Sequence, residues 1–137
     1  MRIVGGKLKG KSIFFLKSKT TRPLKDSVKE NIFNILEHSN LIDIKFEKSD
    51  ILDLYSGFGS FGIECISRGA QKVSFVEQNK NTARILEDNL ISLSILKKAN
   101  IFINSVQEVL EKNKKKKFNI FFFDPPFLDK KYIESLN

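Results

Sequence analysis

A glycine-rich segment and a downstream acid have the spacing of a nucleotide-type site. Gly57, Gly59 and Gly62 form a Gly-x-Gly-x-x-Gly pattern directly after an apolar run that ends at Tyr55. Glycines permit a tight turn and allow a ligand to approach the backbone closely. Glu77 follows Gly57 by 20 residues, a spacing at which an acid can accept hydrogen bonds from two ribose hydroxyls. The pattern predicts an adenosine-type cofactor, and by itself it leaves NAD and S-adenosylmethionine both open.

The segment Asp124-Pro125-Pro126-Phe127, after the apolar run FNIFFF, has residue types that suit chemistry on an amine. The exocyclic amine of a nucleobase is a poor nucleophile because its lone pair is delocalised into the ring. A site that accepts hydrogen bonds from both N–H groups aims that lone pair at a methyl donor. We predict the Asp124 carboxylate and the Pro125 carbonyl as acceptors, and the Phe127 ring as a stacking face for an extruded base. This segment favours S-adenosylmethionine over NAD.

Each of these segments also has an ordinary structural interpretation. The glycines would suit any tight turn between a strand and a helix, and Glu77 would suit a solvated loop. Two prolines after a strand fix a rigid turn, and Phe127 would suit the core. The combination of the glycine pattern, the acid at its spacing and the Asp-Pro-Pro-Phe segment is what favours a functional site.

The elements that must position these residues alternate between strands and helices from residue 50 onward. Short apolar runs predict strands, and apolar residues at helical spacing predict helices. The predicted strands are residues 51–55, 72–77, 101–103 and 118–123, and the predicted helices are residues 63–68, 79–93 and 106–112. This alternation predicts an α/β fold with a doubly wound parallel sheet. Because ligands of such sheets bind at the carboxyl ends of the strands, we expect the three segments to converge there.

The chain before residue 41 is predicted to be a small basic extension of the core formed by residues 41–137. Residues 2–16 suit two short β runs around a glycine-containing turn. A helix follows, because Ser27 and Glu30 have capping-box spacing and an apolar stripe comes next. The stripe comprises Val28, Ile32, Ile35 and Leu36, and we expect the helix to end near residues 38–40.

The positive charge of the chain is concentrated at its start. The 137 residues carry 24 Lys+Arg and 16 Asp+Glu, a net charge of +8. Residues 1–30 hold nine basic and two acidic side chains, whereas residues 31–137 hold fifteen and fourteen. A local basic field attracts polyanions, of which nucleic acid is the common one, although a solvated arm without a partner has the same composition.

Several classes of protein are excluded or disfavoured by composition. One cysteine, Cys65, excludes a disulfide framework and a Cys-based zinc site, and its place in a helix predicts a buried core residue. No second metal ligand is spaced with His38, the only histidine. No apolar run approaches the roughly 18 residues of a membrane span, and the N-terminus lacks the apolar region of a signal peptide, so we expect a cytoplasmic protein. The lysines at 114–117 suit a solvated turn at the end of the sheet opposite the site.

Four stretches of the chain together resemble the RsmD family of Rossmann-like methyltransferases, which make N2-methylguanine in small-subunit ribosomal RNA. Asp-Pro-Pro-Phe is similar to the motif of methyltransferases that act on amines of bases or of glutamine. The resemblance covers nearly the whole chain, in order. The stretches are MRIVGGKLKGK, TRPLKDSVKENIFNIL, DLYSGFGSFGIECISRGAQKVSFVEQN and DPPF.

The resemblance implies a role for each matching residue. Asp53 and the three glycines would surround the methionine part of S-adenosylmethionine, and Glu77 would bind its ribose. The segment Asp124 to Phe127 would hold the guanine amine. Residues near the cofactor or the entering nucleotide would be Thr21, Arg22, Pro23 and Asp26. Residues that would bind RNA phosphates are Arg2, Lys7, Lys9, Lys11, Arg22, Lys25 and Lys29. Phosphate contacts position RNA without reading its sequence.

This chain departs from the family pattern at two places. The family usually has a Gly-Asp pair after the third strand, where Asn104-Ser105 stands here. We expect Ser105, together with backbone groups of Ser105 and Val106, to contact the adenine. Relatives also continue with further helices and strands after the fourth strand. Four strands in the order 3-2-1-4 would leave the fourth strand as an apolar edge that can pair with another chain.

The sequence therefore predicts a methyltransferase that uses S-adenosylmethionine to methylate the N2 amine of a guanine in 16S rRNA or in the assembling small subunit. Three alternatives stay open. They are a non-catalytic RNA-binding remnant, an amino-methyltransferase acting on DNA adenine or protein glutamine, and an NAD-dependent dehydrogenase. The Asp-Pro-Pro-Phe segment, and the start of the glycine strand near residue 51, disfavour the dehydrogenase.

Overall fold

A computed structural model of the chain describes residues 1–16, 25–39 and 45–125. Within these ranges the chain forms one parallel sheet with helices packed along it. The helices are α1 (Asp26–His38), α2 (Ser60–Ser67), α3 (Lys80–Ser92) and α4 (Val106–Lys112), and the strands are β1 (Asp50–Leu54), β2 (Lys72–Val76), β3 (Ala99–Phe102) and β4 (Ile120–Phe123). Short 3-10 turns at Phe46–Lys48 and Leu96–Lys98 lead into β1 and β3.

The four strands lie in the order β3-β2-β1-β4, and every neighbouring pair is parallel. Ile51 of β1 is opposite both Val73 of β2 and Ile120 of β4, so the strands begin at one edge of the sheet and end at the other. The doubly wound α/β fold predicted from the sequence and the strand order implied by the family resemblance are confirmed. Each of the four strands begins and ends within two residues of its predicted limits.

Apolar side chains cover both faces of the sheet. In β1, Ile51 and Leu52 point to opposite faces, yet each is at most 2% exposed. Ile51 belongs to a cluster that includes residues of α1, α2 and α3, and Leu52 belongs to a cluster that includes residues of α4. Burial on both faces explains why the strands are nearly continuous apolar runs without polar alternation.

The buried face of α1 differs from the predicted stripe. Val28 and Ile35 are 42% and 58% exposed, whereas Lys29 and Phe33 are fully buried. The predicted capping box is also wrong, because α1 begins at Asp26 and no side chain caps its first turn. The predicted buried face is wrong because a lysine occupies the core-facing position, where the carboxylate of an α2 residue balances its positive charge. The helix ends at His38, as predicted.

An aromatic stack connects α1, α2 and β4. The rings of Phe61 and Phe122 are stacked with centroids 3.7 Å apart and an interplanar angle of 8°. Phe33 stacks on Phe61 at 5.1 Å, and the Arg68 guanidinium lies 4.6 Å from the centroid of the Phe33 ring. Each aromatic pair contributes about 0.5–1.5 kcal/mol beyond its buried area. The stack therefore holds β4 against the helix that follows the glycine-rich turn.

Residues 1–16 fold back on themselves along α2. Ile3 N donates to Lys11 O at 2.9 Å, and Arg2 and Ser12 form a single antiparallel bridge rather than the two β runs predicted. The turn packs closely against the last residue of α2: a Cβ added at Gly6 would lie only 2.0 Å from Ser67 O. Two backbone N–H groups near the start of the chain bind a side chain of α2 instead of a second strand. Val4 N and Gly5 N both donate to the Glu64 carboxylate.

β4 lies at an edge of the sheet that the structure describes, and Phe121 is 57% exposed there. Pairing of this edge with another chain stays a prediction. Cys65 is buried in α2 as predicted, and burial raises the pKa of its thiol. Across residues 1–16, 25–39 and 45–125, none of the helices combines the length and the apolar character needed to cross a bilayer.

Candidate functional site

Three carboxyl groups meet at the edge of the sheet where the strands end. Asp53 lies near the end of β1, Glu77 directly follows β2 and Asp124 directly follows β4. The charges of Asp124 and Glu77 both act on Asp53. These are the acids that the sequence analysis singled out, and the parallel register brings them to one side of the molecule.

Asp53 is a buried acid beneath the glycine-rich turn. Its side chain is 1% exposed, and its Oδ2 accepts a hydrogen bond from Gly62 N at 3.1 Å. Burial raises the pKa of Asp53 to about 8, and the charges of Asp124 and Glu77 add to that effect, whereas the Gly62 hydrogen bond opposes it. Asp53 is therefore mostly protonated at neutral pH until a cation approaches it.

The glycines of the turn have different structural roles. Gly57 and Gly59 have φ angles of 56° and 95°, which side-chain-bearing residues rarely adopt. Gly62 has no such constraint, but a Cβ there would lie 2.3 Å from the Phe75 ring. Gly57 and Gly59 thus shape the turn, and Gly62 lets α2 pack closely on β2. A contact of any of the three with a cofactor stays a prediction.

Glu77 connects the end of β2 to the turn. Its Oε1 accepts from Gly57 N at 3.2 Å, and its Oε2 accepts from Asn79 N at 2.8 Å. Burial raises the pKa of Glu77, and these two backbone hydrogen bonds oppose the shift. Each carboxylate oxygen has a second lone pair, so Glu77 can hold the turn and still accept from a ligand hydroxyl.

Ser105 and Val106 lie where α4 begins. Ser105 caps the helix, with its Oγ accepting from Glu108 N at 3.2 Å. The Val106 side chain is buried in the cluster with Leu52, so Val106 can offer a ligand only backbone groups. Glu77 N donates to Phe102 O at 3.0 Å, which ties the ends of β2 and β3 together. Contact of Ser105 or Val106 with adenine stays a prediction.

Asp124 keeps contact with solvent at the end of β4. Partial loss of hydration raises its pKa. Pro125 is half-buried beside it, whereas the predicted site residues Pro126 and Phe127 lie outside the described residues. The part of the predicted amine site that the structure describes is therefore Asp124 and Pro125.

Two residues that the sequence analysis did not single out lie between β1 and the glycines. Tyr55 has a φ of 55°, and its ring meets Phe123 edge-on with centroids 5.4 Å apart. Ser56 Oγ is buried, and no hydrogen-bond partner for it occurs among the residues that the structure describes. An unsatisfied buried hydroxyl beside a left-handed turn fits a site that receives a polar ligand. No local pattern in the sequence indicates either residue, because the burial of the hydroxyl and the ring contact arise only in the completed sheet.

Most of the predicted phosphate-binding residues are accessible. Lys7, Lys9, Lys11 and Lys25 are exposed. Arg2 is exposed and lies 3.5 Å from Asp26, while Arg22, Thr21 and Pro23 fall outside the described residues.

The prediction that Lys29 binds RNA phosphates is wrong, because its side chain is fully buried. Lys29 Nζ donates to Arg2 O at 2.7 Å and to Ser60 Oγ at 3.2 Å, and lies 3.5 Å from Glu64 Oε1. Burial lowers the pKa of Lys29, although the charge of Glu64 opposes the shift. Lys29 therefore connects the N-terminal segment to the first residue of α2.

A doubly wound parallel sheet with acids at the carboxyl ends of its strands places the chain in the class of Rossmann-like α/β proteins. The chain belongs to the family described as conserved hypothetical protein 95, whose model matches residues 1–137.

Several proteins that are similar to this chain are named as methyltransferases. The chain is 35% identical over 129 residues to the ribosomal RNA small subunit methyltransferase D of Haemophilus influenzae, covering 93% of this chain and 64% of that protein. Its counterpart in Buchnera aphidicola subsp. Baizongia pistaciae is 35% identical over 127 residues, with coverage of 93% and 61%. The chain is thus shorter than these relatives. The solved structure of Escherichia coli yhhF superposes with a TM-score of 0.82 and 28% identity, covering all of this chain and 70% of that one.

Methyltransferases of this kind imply S-adenosyl-L-methionine as the methyl donor, and the residues present fit it. The turn at Gly57 and Gly59 exposes backbone, Ser56 offers an unsatisfied hydroxyl, and Glu77 retains acceptor capacity. Asp53 lies beneath the same turn, and the negative charge it gains on losing its proton suits a sulfonium or ammonium cation.

Proposed function

We propose that this protein transfers a methyl group from S-adenosylmethionine to the N2 amine of a guanine in 16S rRNA. The observation that carries the proposal is the position of Asp124, which directly follows β4 and comes two residues after Phe122, the residue paired with Asp53 of β1. Methyl transfer to nitrogen requires a hydrogen-bond acceptor that holds the amine beside the cofactor, and Asp124 is such an acceptor next to the predicted cofactor turn. The names of the curated relatives support RNA of the small subunit as the substrate class.

In this proposal the chain works mainly by positioning. The Asp124 carboxylate accepts a hydrogen bond from one N–H of the amine, and the Pro125 carbonyl accepts from the other. The nitrogen lone pair then points at the methyl carbon, which the cofactor supplies. S-adenosylmethionine would supply the methyl group from its sulfonium, and the sulfur would keep the electron pair of the broken sulfur–carbon bond as the N–C bond forms. Holding the reactants in line and accepting the amine protons electrostatically supply the rate enhancement.

The surplus proton of the methylated amine must leave. The raised pKa of Asp124 makes this carboxylate a better proton acceptor than a fully solvated aspartate. Because Asp124 is also in contact with solvent, the proton can pass on to water. Because the methyl group passes directly to the amine in this proposal, the reaction needs no covalent intermediate with the enzyme.

The RNA would approach with its backbone held by basic residues outside the acidic edge. Lys7, Lys9, Lys11, Lys25 and Arg2 are exposed and able to contact phosphates. Such contacts hold the RNA without selecting a nucleotide. The choice of guanine would then depend on the shape of the RNA in the subunit.

The test is to incubate the chain with radiolabelled S-adenosylmethionine and small subunits from cells that lack this modification, and to digest the RNA to nucleosides. The expected result is label in N2-methylguanosine. Label in another nucleoside would contradict the guanine assignment. Cofactor binding without any label would contradict the enzymatic role and leave an RNA-binding remnant.

A further inference from the structure

A second concentration of positive charge lies at the edge of the sheet where the strands begin, opposite the acidic edge. We call it the basal surface and define it as the segments that enter the four strands, residues 45–50, 70–72, 96–98 and 111–119. These segments contain ten lysines and three acids. Nine of the ten lysines are exposed, and Lys72 is half-buried. The sequence showed only part of this charge: the lysines at 114–117, predicted above to form a solvated turn, are joined here by lysines of three other segments.

The strand register sets these segments side by side. Lys72 of β2 is opposite Asp50 of β1, and Lys72 Nζ donates to Lys97 O at 3.2 Å. On the other side, Asp50 N donates to Asn119 Oδ1 at 2.8 Å. Since neighbouring strands are about 4.8 Å apart, the row from β3 to β4 spans about 15 Å. The lysines therefore form one continuous surface rather than isolated charges.

The N-terminal turn adds to the same side of the molecule. Lys7 N donates to Ser67 O at 2.8 Å, and Ser67 is the last residue of α2. Because α2 connects β1 to β2, its last residue lies at the edge where β2 begins. Gly69, two residues on, lies close to Glu47 in the segment that enters β1. Lys7 thus neighbours the basal surface and not the acidic edge.

The two edges of the sheet have opposite charge. The described segments that leave the strands contain Glu77 and Asp124 but no lysine or arginine; they are residues 55–59, 77–79, 103–105 and 124–125. An acidic edge repels phosphate, so it contributes little attraction for a polyanion. A polyanionic substrate that brings one base to that edge needs attraction from another part of the protein.

We propose that the basal surface binds phosphates of the substrate RNA at a position remote from the target nucleotide. This inference rests on the proposed function, since it assigns a second contact to the same RNA. A five-residue strand spans about 16 Å, so the two contacts are separated by several nucleotides of RNA. The lysines bind the backbone through charge and therefore contribute affinity without sequence preference.

The experiment measures affinity for 16S rRNA transcribed in vitro, without a methyl donor, across a series of salt concentrations. Two variants each remove two basal charges: Lys97→Gln with Lys98→Gln, and Lys114→Gln with Lys115→Gln. The matched control, Lys80→Gln with Arg84→Gln, removes two exposed charges from α3. Because all three variants lower the net charge equally, any difference between them reflects position.

Each basal variant is expected to weaken binding about five- to tenfold and to reduce the slope of log affinity against log salt by about 1.4–1.8. The control is expected to change the slope by less than about 0.5. Basal variants that match the control would overturn the proposal. Because binding is measured without turnover, absence of methyl transfer in the separate labelling experiment would count against the proposed function and leave this result intact.

Discussion

Lys29 Nζ lies 3.5 Å from Glu64 Oε1, and both side chains are fully buried. Glu64 also accepts hydrogen bonds from Val4 N and Gly5 N at 2.9 Å each, and from Arg68 Nε at 2.8 Å. The carboxylate is thus the point at which the N-terminal segment, α1 and α2 are joined. The pair determines how α1 packs and how the N-terminal segment lies beside the glycine-rich turn.

Removing the two partners should have unequal effects. Glu64→Gln leaves Lys29 without its buried counter-ion, although Arg68 keeps Glu37 at 3.0 Å, so we expect it to lower the free energy of unfolding by about 3–5 kcal/mol. Lys29→Met leaves Glu64 with its other three donors, and we expect a cost of about 1–3 kcal/mol. Denaturant titration of both variants measures the difference. Equal losses of unfolding free energy, or a larger loss for Lys29→Met, would show that Glu64 is not the residue that joins these segments.

This pair also marks a limit of prediction from sequence. Apolar periodicity placed the buried face of α1 on Val28 and Ile35, because a lysine is normally read as solvent-facing. Only the partner 35 residues later, Glu64, makes burial of Lys29 tolerable, and nothing local in the sequence indicates that contact. The strands were predicted well because apolar runs buried on both faces leave a clear local signal.

The site shows the same division between local and non-local information. Glu77 and Asp124 were found from spacing and from their places at strand ends, Asp53 was implied by the family resemblance, and the parallel register brings the three together. The buried Ser56 hydroxyl was missed, and of the basal surface only the lysines at 114–117 were noticed, since burial and neighbours on adjacent strands depend on the completed sheet. The contact of Lys7 with the end of α2 was missed for the same reason.

Stability should fall as pH rises because of Asp53. Its folded pKa of about 8 exceeds the ordinary value of 3.8, so between these values the folded state holds a proton that the unfolded state has lost. The unfolding free energy then decreases by up to about 1.4 kcal/mol per pH unit and levels off above pH 8. We expect Asp53→Asn to remove this dependence. The check is denaturant titration at several pH values, and wild-type and variant curves that stay parallel would contradict it.

Cofactor binding should release a proton from Asp53. A sulfonium or ammonium cation near Asp53 favours the carboxylate and lowers its pKa. Calorimetry of S-adenosylmethionine binding at pH 7, in buffers of different ionisation enthalpy, should report release of up to one proton by the wild type. The Asp53→Asn variant should release clearly less. Binding enthalpies that do not depend on the buffer would place the cation away from Asp53.

Gly62 should be coupled to Phe75. A Cβ at Gly62 would lie 2.3 Å from the Phe75 ring, so Gly62→Ala should be destabilising by about 1–3 kcal/mol. Phe75→Leu makes room for it, and we expect the double variant to lose less stability than the sum of the single changes. Gly10→Ala is the control: open space surrounds Gly10, so its cost comes from the φ of 87° alone and should add to that of Phe75→Leu. Additive costs at Gly62 would contradict a packing role.

The central claim is that Asp124 holds the amine during methyl transfer, and it is tested most directly by separating transfer from cofactor binding. We expect Asp124→Ala to lower kcat/KM for methylation of small-subunit RNA at least about a hundredfold. Its Kd for S-adenosylmethionine should stay within about threefold of the wild type, since Asp124 is assigned to the amine and not to the cofactor. Asp88→Ala, which removes an exposed acid from α3, should leave both unchanged. Wild-type turnover by Asp124→Ala would contradict the claim.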